Sequence, residues 1–141
     1  MYFSLPKKFL MIEQLEIQST YKSPEVIFDP VSGAFKISGN SILVNVEEFY
    51  SPLFDWMDAF IENPTTKHVK FIFDIAYTNV ASTKRFLLFL YKLKELLEKE
   101  VEVEVDWLYA EEDHFVYEVG KDLSQMLNLP FNLISYTKKE D

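Results

Sequence analysis

The chain of 141 residues has no cysteine, only three glycines and only two histidines. Without cysteine there is no disulfide, no thiolate metal site and no cysteine nucleophile. Gly33, Gly39 and Gly120 are not spaced as a Walker loop or a dinucleotide-binding fingerprint, which disfavours nucleotide hydrolysis. His68 and His114 lie far apart and form no HxxxH or HExxH pattern. We therefore predict no cofactor and no transition-metal site.

Long apolar runs and an excess of positive charge are also missing. No apolar run reaches the roughly 18 residues that a transmembrane helix needs, and the four apolar residues 9–12 are too few for a signal-peptide core. The formal net charge is −9, from 23 acidic and 14 basic residues. Such a charge repels phosphate backbones and anionic lipid surfaces. These features predict a cytoplasmic, soluble protein that binds neither nucleic acid nor membranes.

Large apolar side chains are abundant instead. Apolar residues make up 48% of the chain, and it contains 13 Phe and 8 Tyr. This composition is too rich in large side chains for a disordered segment and suits one packed core. We predict a single domain over residues 23–136 and a C-terminal tail at 137–141. Residues 1–22 form an N-terminal extension, which is either a tail or a short extra strand.

Alternation of apolar and polar residues predicts two long strands, at 68–77 and 101–109. Shorter strands are predicted at 25–29, 34–38 and 131–136. In the strand 101–109 every second position from Glu102 to Asp106 is acidic, which does not suit a sheet buried on both faces. We predict an α/β fold whose mixed sheet carries its helices mainly on one face.

Three helices between these strands complete the predicted order ββαβαβαβ. Asn45 with Glu48 has the form of a capping box, while Ser51 and Pro52 resemble an N-cap followed by a first-turn proline. We therefore expect a short turn before a helix at 52–62. Further helices are predicted at 82–100 and 114–127. Their apolar faces predict core positions at Phe86, Phe89, Leu90, Leu93, Leu96 and Leu97, and at Phe115, Val116, Val119, Leu123, Met126 and Leu127.

The helix 82–100 carries a second apolar group on its other side, formed by Leu87, Leu88 and Tyr91. A helix that is apolar nearly all round must be covered on both sides. Either residues 1–23 or the first helix covers this group, or a partner protein does, since exposed apolar clusters mark interaction surfaces. In a further alternative, the group pairs with itself in a structural homo-oligomer.

The densest ionisable cluster is formed by Glu111, Glu112, Asp113 and His114. Carboxylates beside an imidazole could serve a small acid–base or metal-dependent hydrolase that uses Glu111, Asp113 and His114. In the simpler interpretation, Asp113 caps the following helix and the other acids favour its positive end. Because consecutive residues seldom converge on one point, we prefer the simpler interpretation.

Five segments carry a resemblance to a known family: SPEVIFDPVSGAFKISGNS, EEFYSPLFDWMDAFIENP, YTNVASTK, VEVDWLYAEED and LNLPFNLISY. Over residues 23–136 the chain resembles the bacterial SiaC-type regulatory phosphoproteins. The resemblance implies a STAS-like fold and no catalysis by the chain itself. It also implies that a partner kinase and a partner phosphatase act on the protein. The unmodified form then binds a target, in the best-known system a diguanylate cyclase.

The resemblance places the regulatory site at the junction between the strand 68–77 and the following helix. The family pattern there is close to Tyr-Phe-Asn-Thr-Ser-Ser-x-Lys, and its threonine takes the phosphate. That threonine falls on Val80, which cannot be phosphorylated. The acceptor has therefore moved to Ser82, Thr83 or Thr78, or the switch is lost and the chain is held in its unmodified, binding-competent state. For Ser82 the simpler interpretation is a helix N-cap.

A helix start is a physically suitable place for such a switch. Its unpaired N–H groups and the positive end of its dipole tolerate a phosphate, which changes the local charge by about −1.5 to −2. We therefore expect the partner surface to consist of Asn79, Lys84, Leu87, Leu88 and Tyr91.

Overall fold

The computed structural model describes residues 12–138. Its elements, in chain order, are β1 (Leu15–Ile17), β2 (Glu25–Phe28), β3 (Ala34–Ser41), α1 (Val46–Glu62), β4 (His68–Thr78), α2 (Val80–Glu98), β5 (Glu102–Ala110), α3 (His114–Leu127) and β6 (Phe131–Tyr136). The order follows the predicted one, preceded by one more strand, β1, inside the predicted N-terminal extension. The rest of that extension, residues 1–11, and residues 139–141 of the predicted tail lie outside the described residues.

All six strands form one mixed sheet in the order β1-β2-β3-β4-β5-β6. The pairs β1–β2 and β2–β3 are antiparallel, and β3 to β6 run parallel. Right-handed crossovers that always step in one direction place their helices on one face. On that face, Phe35 contacts Phe60 of α1, Phe73 contacts Phe86 of α2, and the indole of Trp107 donates to a carbonyl of α3. The predicted mixed sheet with helices on one face is confirmed.

The uncovered face of the sheet is polar at its centre. Asn132 of β6 donates to Glu104 at 2.7 Å and to Asp106 at 2.8 Å, and Lys70 lies 3.5 Å from Asp106. These contacts let Asp106 be buried although the alternation had placed it on the wet face. Within residues 12–138, no helix is long and apolar enough to cross a bilayer.

Two predicted helix starts need correction. The capping box at Asn45 is real, since its side chain accepts the N–H of Glu48 at 3.1 Å and donates to the carboxylate of the same residue. Helix α1 therefore begins at Val46 and passes through Pro52, which is exposed, so the expected turn before residue 52 is wrong. Helix α2 begins at Val80 with Asn79 as its N-cap, so the N-cap interpretation of Ser82 is also wrong.

Other corrections concern strand ends and apolar positions. Strand β3 does not stop at residue 38, because a register shift after Gly39 lets pairing continue to Ser41. Tyr77 continues the apolar alternation in the sequence but is exposed, because the register shift leaves Ala76 unpaired and places Tyr77 opposite Asn40. Three predicted core positions on the helices are exposed as well, namely Leu97, Phe115 and Met126.

Gly120 of α3 lies against the ring of Trp107. An alanine there would place its Cβ only 2.5 Å from the indole Nε1. A glycine-to-alanine change in a helix normally stabilises by about 1 kcal/mol, but overpacking a core costs about 1–3 kcal/mol. We expect Gly120→Ala to lower the free energy of unfolding by up to about 2 kcal/mol, measured by urea unfolding. In a Trp107→Leu background, Gly120→Ala should lower the free energy of unfolding by less. An equal loss in both backgrounds would show that the ring of Trp107 is not what the new Cβ meets.

Candidate functional site

Asn79 joins the end of β4, the start of α2 and the loop that follows β3. Its side-chain oxygen accepts the N–H of Ser82 at 2.9 Å, and its side-chain amide donates to the carbonyl of Leu43 at 2.9 Å. Its backbone N–H donates to the carbonyl of Ser41 at 3.2 Å. The N-cap side chain therefore also links the loop after β3, at Leu43, to the entrance of the helix.

A buried set of three hydroxyl groups lies beneath this entrance. Ser41 donates to Ser82 at 2.8 Å, and the hydroxyls of Ser41 and Tyr50 are 2.6 Å apart. Because Ser41 has a single hydroxyl proton, Tyr50 is the donor to Ser41. All three side chains are fully buried. The hydroxyl of Ser82, a predicted acceptor position, is therefore enclosed between β3, α1 and α2.

Burial raises the pKa of Tyr50 to about 12, against the opposing effect of its hydrogen bond with Ser41. An unfolded tyrosine ionises near pH 10. The contribution of this raised pKa to stability is complete below about pH 10 and is lost as the pH rises to about 12.

We therefore expect a pH-dependent difference between the wild type and Tyr50→Phe. Near neutral pH the wild type should be more stable by about 1 kcal/mol, because the variant lacks one hydrogen bond. By about pH 11 the wild type loses about 1.4 kcal/mol that the variant keeps, so the order of stabilities should reverse. Urea unfolding of both proteins from about pH 8 to about pH 11 measures this difference. A constant difference over that range would contradict the raised pKa.

The other two predicted hydroxyls are partly exposed and share one acceptor. Thr78 and Thr83 donate to the backbone carbonyl of Asn79 at 3.2 Å and 3.1 Å. Val80, the position of the family threonine, is 74% exposed in the first turn of α2. Of the four candidate positions at this entrance, Val80 is the most exposed, and it is the one that has no hydroxyl.

A groove of about 540 Å³ opens directly beside Val80, between α2 and α3. Its lining comprises Thr78, Asn79, Val80, Thr83, Lys84, Leu87, Phe115, Leu123 and Met126. Three of the five predicted partner-binding residues, Asn79, Lys84 and Leu87, lie in this lining. Lys84 is the only charged side chain among the lining residues, so the groove is mainly apolar.

Two predicted partner-binding residues, Leu88 and Tyr91, do not line the groove. Both are about half exposed, and among residues 12–138 neither α1 nor the N-terminal segment buries them. Leu87 differs from them because it is partly buried against the core. The structure therefore separates the predicted apolar group into one groove residue and two surface residues further along α2.

The α3 side of the groove was not predicted as a site. Phe115 and Met126 were interpreted as core, but Phe115 is 69% exposed and Met126 is also exposed. They are eleven residues apart, close to three helical turns, so both lie on one stripe of α3 next to the buried stripe. An apolar arc on α3 wider than the core requires was the signal in the sequence that could have indicated them.

The acidic cluster is not assembled into one site. Asp113 caps α3 by accepting the N–H of Val116 at 3.1 Å, as the simpler interpretation predicted. Glu111 and His114 are exposed, and the nearby cavity of about 80 Å³ is lined by Asp113 but by neither of them. Within the described part of the chain, no three His, Asp or Glu side chains are grouped to hold a metal ion.

The fold and the groove define an α/β domain with one mixed sheet, helices on one of its faces and an apolar groove between two of these helices. A model of the SiaC family regulatory phosphoproteins matches residues 17–136. The chain belongs to this family, which confirms the resemblance found in the five sequence segments.

Solved structures agree with this assignment. Apo-SiaC from Pseudomonas aeruginosa is 22% identical, with a TM-score of 0.78, and the match covers 87% of this chain and 99% of that one. A chain in the crystal structure of the diguanylate cyclase SiaD in complex with its activator SiaC, from the same organism, is also 22% identical. Its TM-score is 0.80, with coverage of 86% and 99%. At this identity the likeness establishes the fold. No curated protein matches the chain.

Proposed function

We propose that this chain is a cytoplasmic, non-enzymatic regulator that binds a partner protein through the groove between α2 and α3. The observation that carries the proposal is the apolar groove of about 540 Å³ beside the helix entrance that Asn79 caps. Apolar surface of this kind marks interaction sites. In the Pseudomonas aeruginosa complex SiaC is the activator of the diguanylate cyclase SiaD. By this likeness, the target proposed for the present chain is a diguanylate cyclase.

The lining of the groove indicates the chemistry of the segment that it binds. Val80, Leu87, Phe115 and Met126 offer apolar contacts from two helices. An amphipathic helix that inserts its apolar side chains fits such a groove. Lys84 at the rim suits a carboxylate on the partner segment, which would add specificity more than affinity. Leu88 and Tyr91 then extend the contact along α2.

Regulation by phosphorylation is proposed to be lost at this junction. Val80 has no hydroxyl, and the hydroxyl of Ser82 is buried in contact with Ser41. The hydroxyls of Thr78 and Thr83 are both engaged with the carbonyl of Asn79. A kinase would therefore have to open the helix entrance to reach Ser82, and would have to break a hydrogen bond to the carbonyl of Asn79 to modify Thr78 or Thr83. This supports a chain that stays in the unmodified, binding-competent state, although its family is one of regulatory phosphoproteins.

Intact-mass measurement on the protein isolated from its native cells tests the loss of the switch. We expect no species that is heavier by about 80 Da, the mass of one phosphate. A phosphate mapped to Thr78, Ser82 or Thr83 would show that the acceptor has moved instead.

The binding function is tested by reconstitution with a diguanylate cyclase from the same cells. The cyclase is captured on the tagged chain, purified, and assayed for product formation with and without the chain. We expect a stable complex and a changed rate of product formation. A cyclase that neither binds nor responds, with the folded chain in excess, would contradict the proposed target.

A further inference from the structure

The edge strand β6 is open to pairing with another strand. It lies at the end of the sheet, and within residues 12–138 it pairs only with β5. Its six residues, FNLISY, include no charge, no proline and no glycine. Natural proteins usually protect an edge with short strands, charges or proline, because its free N–H and C=O groups bind other strands. Strand β6 has none of these protections between its ends.

The opposite edge of the sheet is protected. Strand β1 has only three residues, and its central residue is Glu16. Antiparallel self-pairing there would place Glu16 opposite the same residue of a second copy, and like charges directly opposite destabilise a sheet. The two edges of one sheet therefore differ in the features that govern strand association.

We propose that β6 pairs with β6 of a second copy of this chain, in antiparallel orientation about a two-fold axis. Directly opposite residues in an antiparallel pair lie on the same face. Because side chains alternate between the two faces along β6, the two-fold axis must pass beside a residue that lies opposite itself in the second copy. The two residues at the middle of β6, Leu133 and Ile134, are the candidates for this position. In the pairing centred on Ile134, Asn132 lies opposite Tyr136 and Leu133 opposite Ser135. No charged side chain is opposed in either register.

The side chains of β6 bring no charge of their own into the pairing, although the chain carries a net charge of −9. Acids do lie beside the strand: Glu104 and Asp106 accept hydrogen bonds from Asn132, and Asp74 is hydrogen-bonded to the side chain of Tyr136. Lys70 near Asp106 offsets part of this charge. Two copies therefore meet through uncharged side chains, and the repulsion between them comes from the acids beside the strand. Added salt screens this repulsion and should strengthen the dimer. The two-fold axis places the helices of both copies on the same side of one continuous sheet.

Sedimentation of the full chain over a range of concentrations tests the proposal. Ile134 is 42% exposed; it lies opposite itself in the register centred on Ile134 and opposite Asn132 in the register centred on Leu133. We expect the wild type to approach twice its mass of 16.7 kDa with increasing concentration. Ile134→Lys should weaken the dimer by at least about tenfold in the first register, because two lysines then meet at the centre of the pairing. In the second register the two lysines are diagonal neighbours on one face, so the loss should be smaller. Leu88→Lys, an equally exposed apolar residue on α2, should leave the dimer intact.

Several outcomes would overturn the proposal. A wild type that stays monomeric at every concentration excludes it. A dimer that Leu88→Lys dissociates and Ile134→Lys does not would mean that the α2 surface pairs with itself. If Ile134→Lys does not fold, hydrogen exchange of the wild type decides, since the amides of residues 131–136 should be better protected at high protein concentration. Equal protection at all concentrations contradicts the pairing. None of these results depends on the cyclase.

Discussion

Replacing Val80 by glutamate is expected to weaken binding of the partner by at least about 30-fold. Val80 lies on the groove, so a partner that fills the groove must desolvate the new carboxylate. The new carboxylate also lies one turn before Lys84 and takes up the cation that a carboxylate of the partner would use. Loss of a buried charge pair costs about 2–5 kcal/mol, and 2 kcal/mol corresponds to about 30-fold in affinity. The free chain should remain folded, because a glutamate in the first turn of a helix interacts favourably with the dipole. Titration of the purified partner by calorimetry measures the loss.

The sheet offers a matched control for this substitution. Val31 is 78% exposed, close to the 74% of Val80, and lies in the turn between β2 and β3. It does not line the groove. Val31→Glu should therefore leave the affinity within about twofold. Equal losses for Val31→Glu and Val80→Glu would point to general charge repulsion and against the groove as the docking site.

The alternation of side chains was sufficient to predict most of the sheet. Two neighbouring strands showed the same period, and the acids of β5 showed that one face is uncovered. The pattern could not predict where a strand continues past a residue that normally ends a strand. Gly39, with φ near +111°, looked like the end of β3, yet the neighbouring strand carries the chain through a register shift to Ser41. That added length brings Ser41 beneath the entrance of α2.

The α2 side of the groove could be predicted from the sequence, whereas its α3 side could not. Asn79, Lys84 and Leu87 are close in sequence to the junction, and their roles follow from the start of one helix. Phe115 and Met126 belong to another helix, and their apolar character fits a core position as well as a groove. Only the packing of α3 against β5, where Gly120 meets Trp107, determines which stripe of α3 is buried. Local periodicity does not contain that information.

Ser82 shows the same limit on a smaller scale. A serine beside a predicted helix start is a good N-cap candidate, but Asn79 three residues earlier takes that role. Once the helix starts at Val80, Ser82 completes its first turn and its hydroxyl turns towards Ser41 and Tyr50. Both of these partners are distant in sequence. The loss of an accessible hydroxyl at this position is therefore a consequence of tertiary packing.

The largest loss of stability is expected for Phe71→Ala. Phe71 is fully buried in the central strand β4. Its ring contacts four others, with centroid distances of 5.6 Å to Phe28, 6.2 Å to Phe35, 4.6 Å to Phe73 and 5.6 Å to Phe89. Truncation of a buried phenylalanine costs about 3–5 kcal/mol, which is a large part of the roughly 5–15 kcal/mol that stabilises a typical domain.

Phe115→Ala removes the same atoms as Phe71→Ala, but from an exposed position. It therefore distinguishes an effect on stability from an effect on partner binding. We expect it to change the free energy of unfolding by about 0.5 kcal/mol or less, but to weaken partner binding because Phe115 lines the groove. Urea unfolding followed by tryptophan fluorescence measures the first effect for both variants, and calorimetric titration measures the second for Phe115→Ala. If Phe115→Ala were as destabilising as Phe71→Ala, that ring would be packed in the free protein and unavailable to a partner. The groove would then be closed by the chain itself, and a partner could not insert there without first displacing that ring.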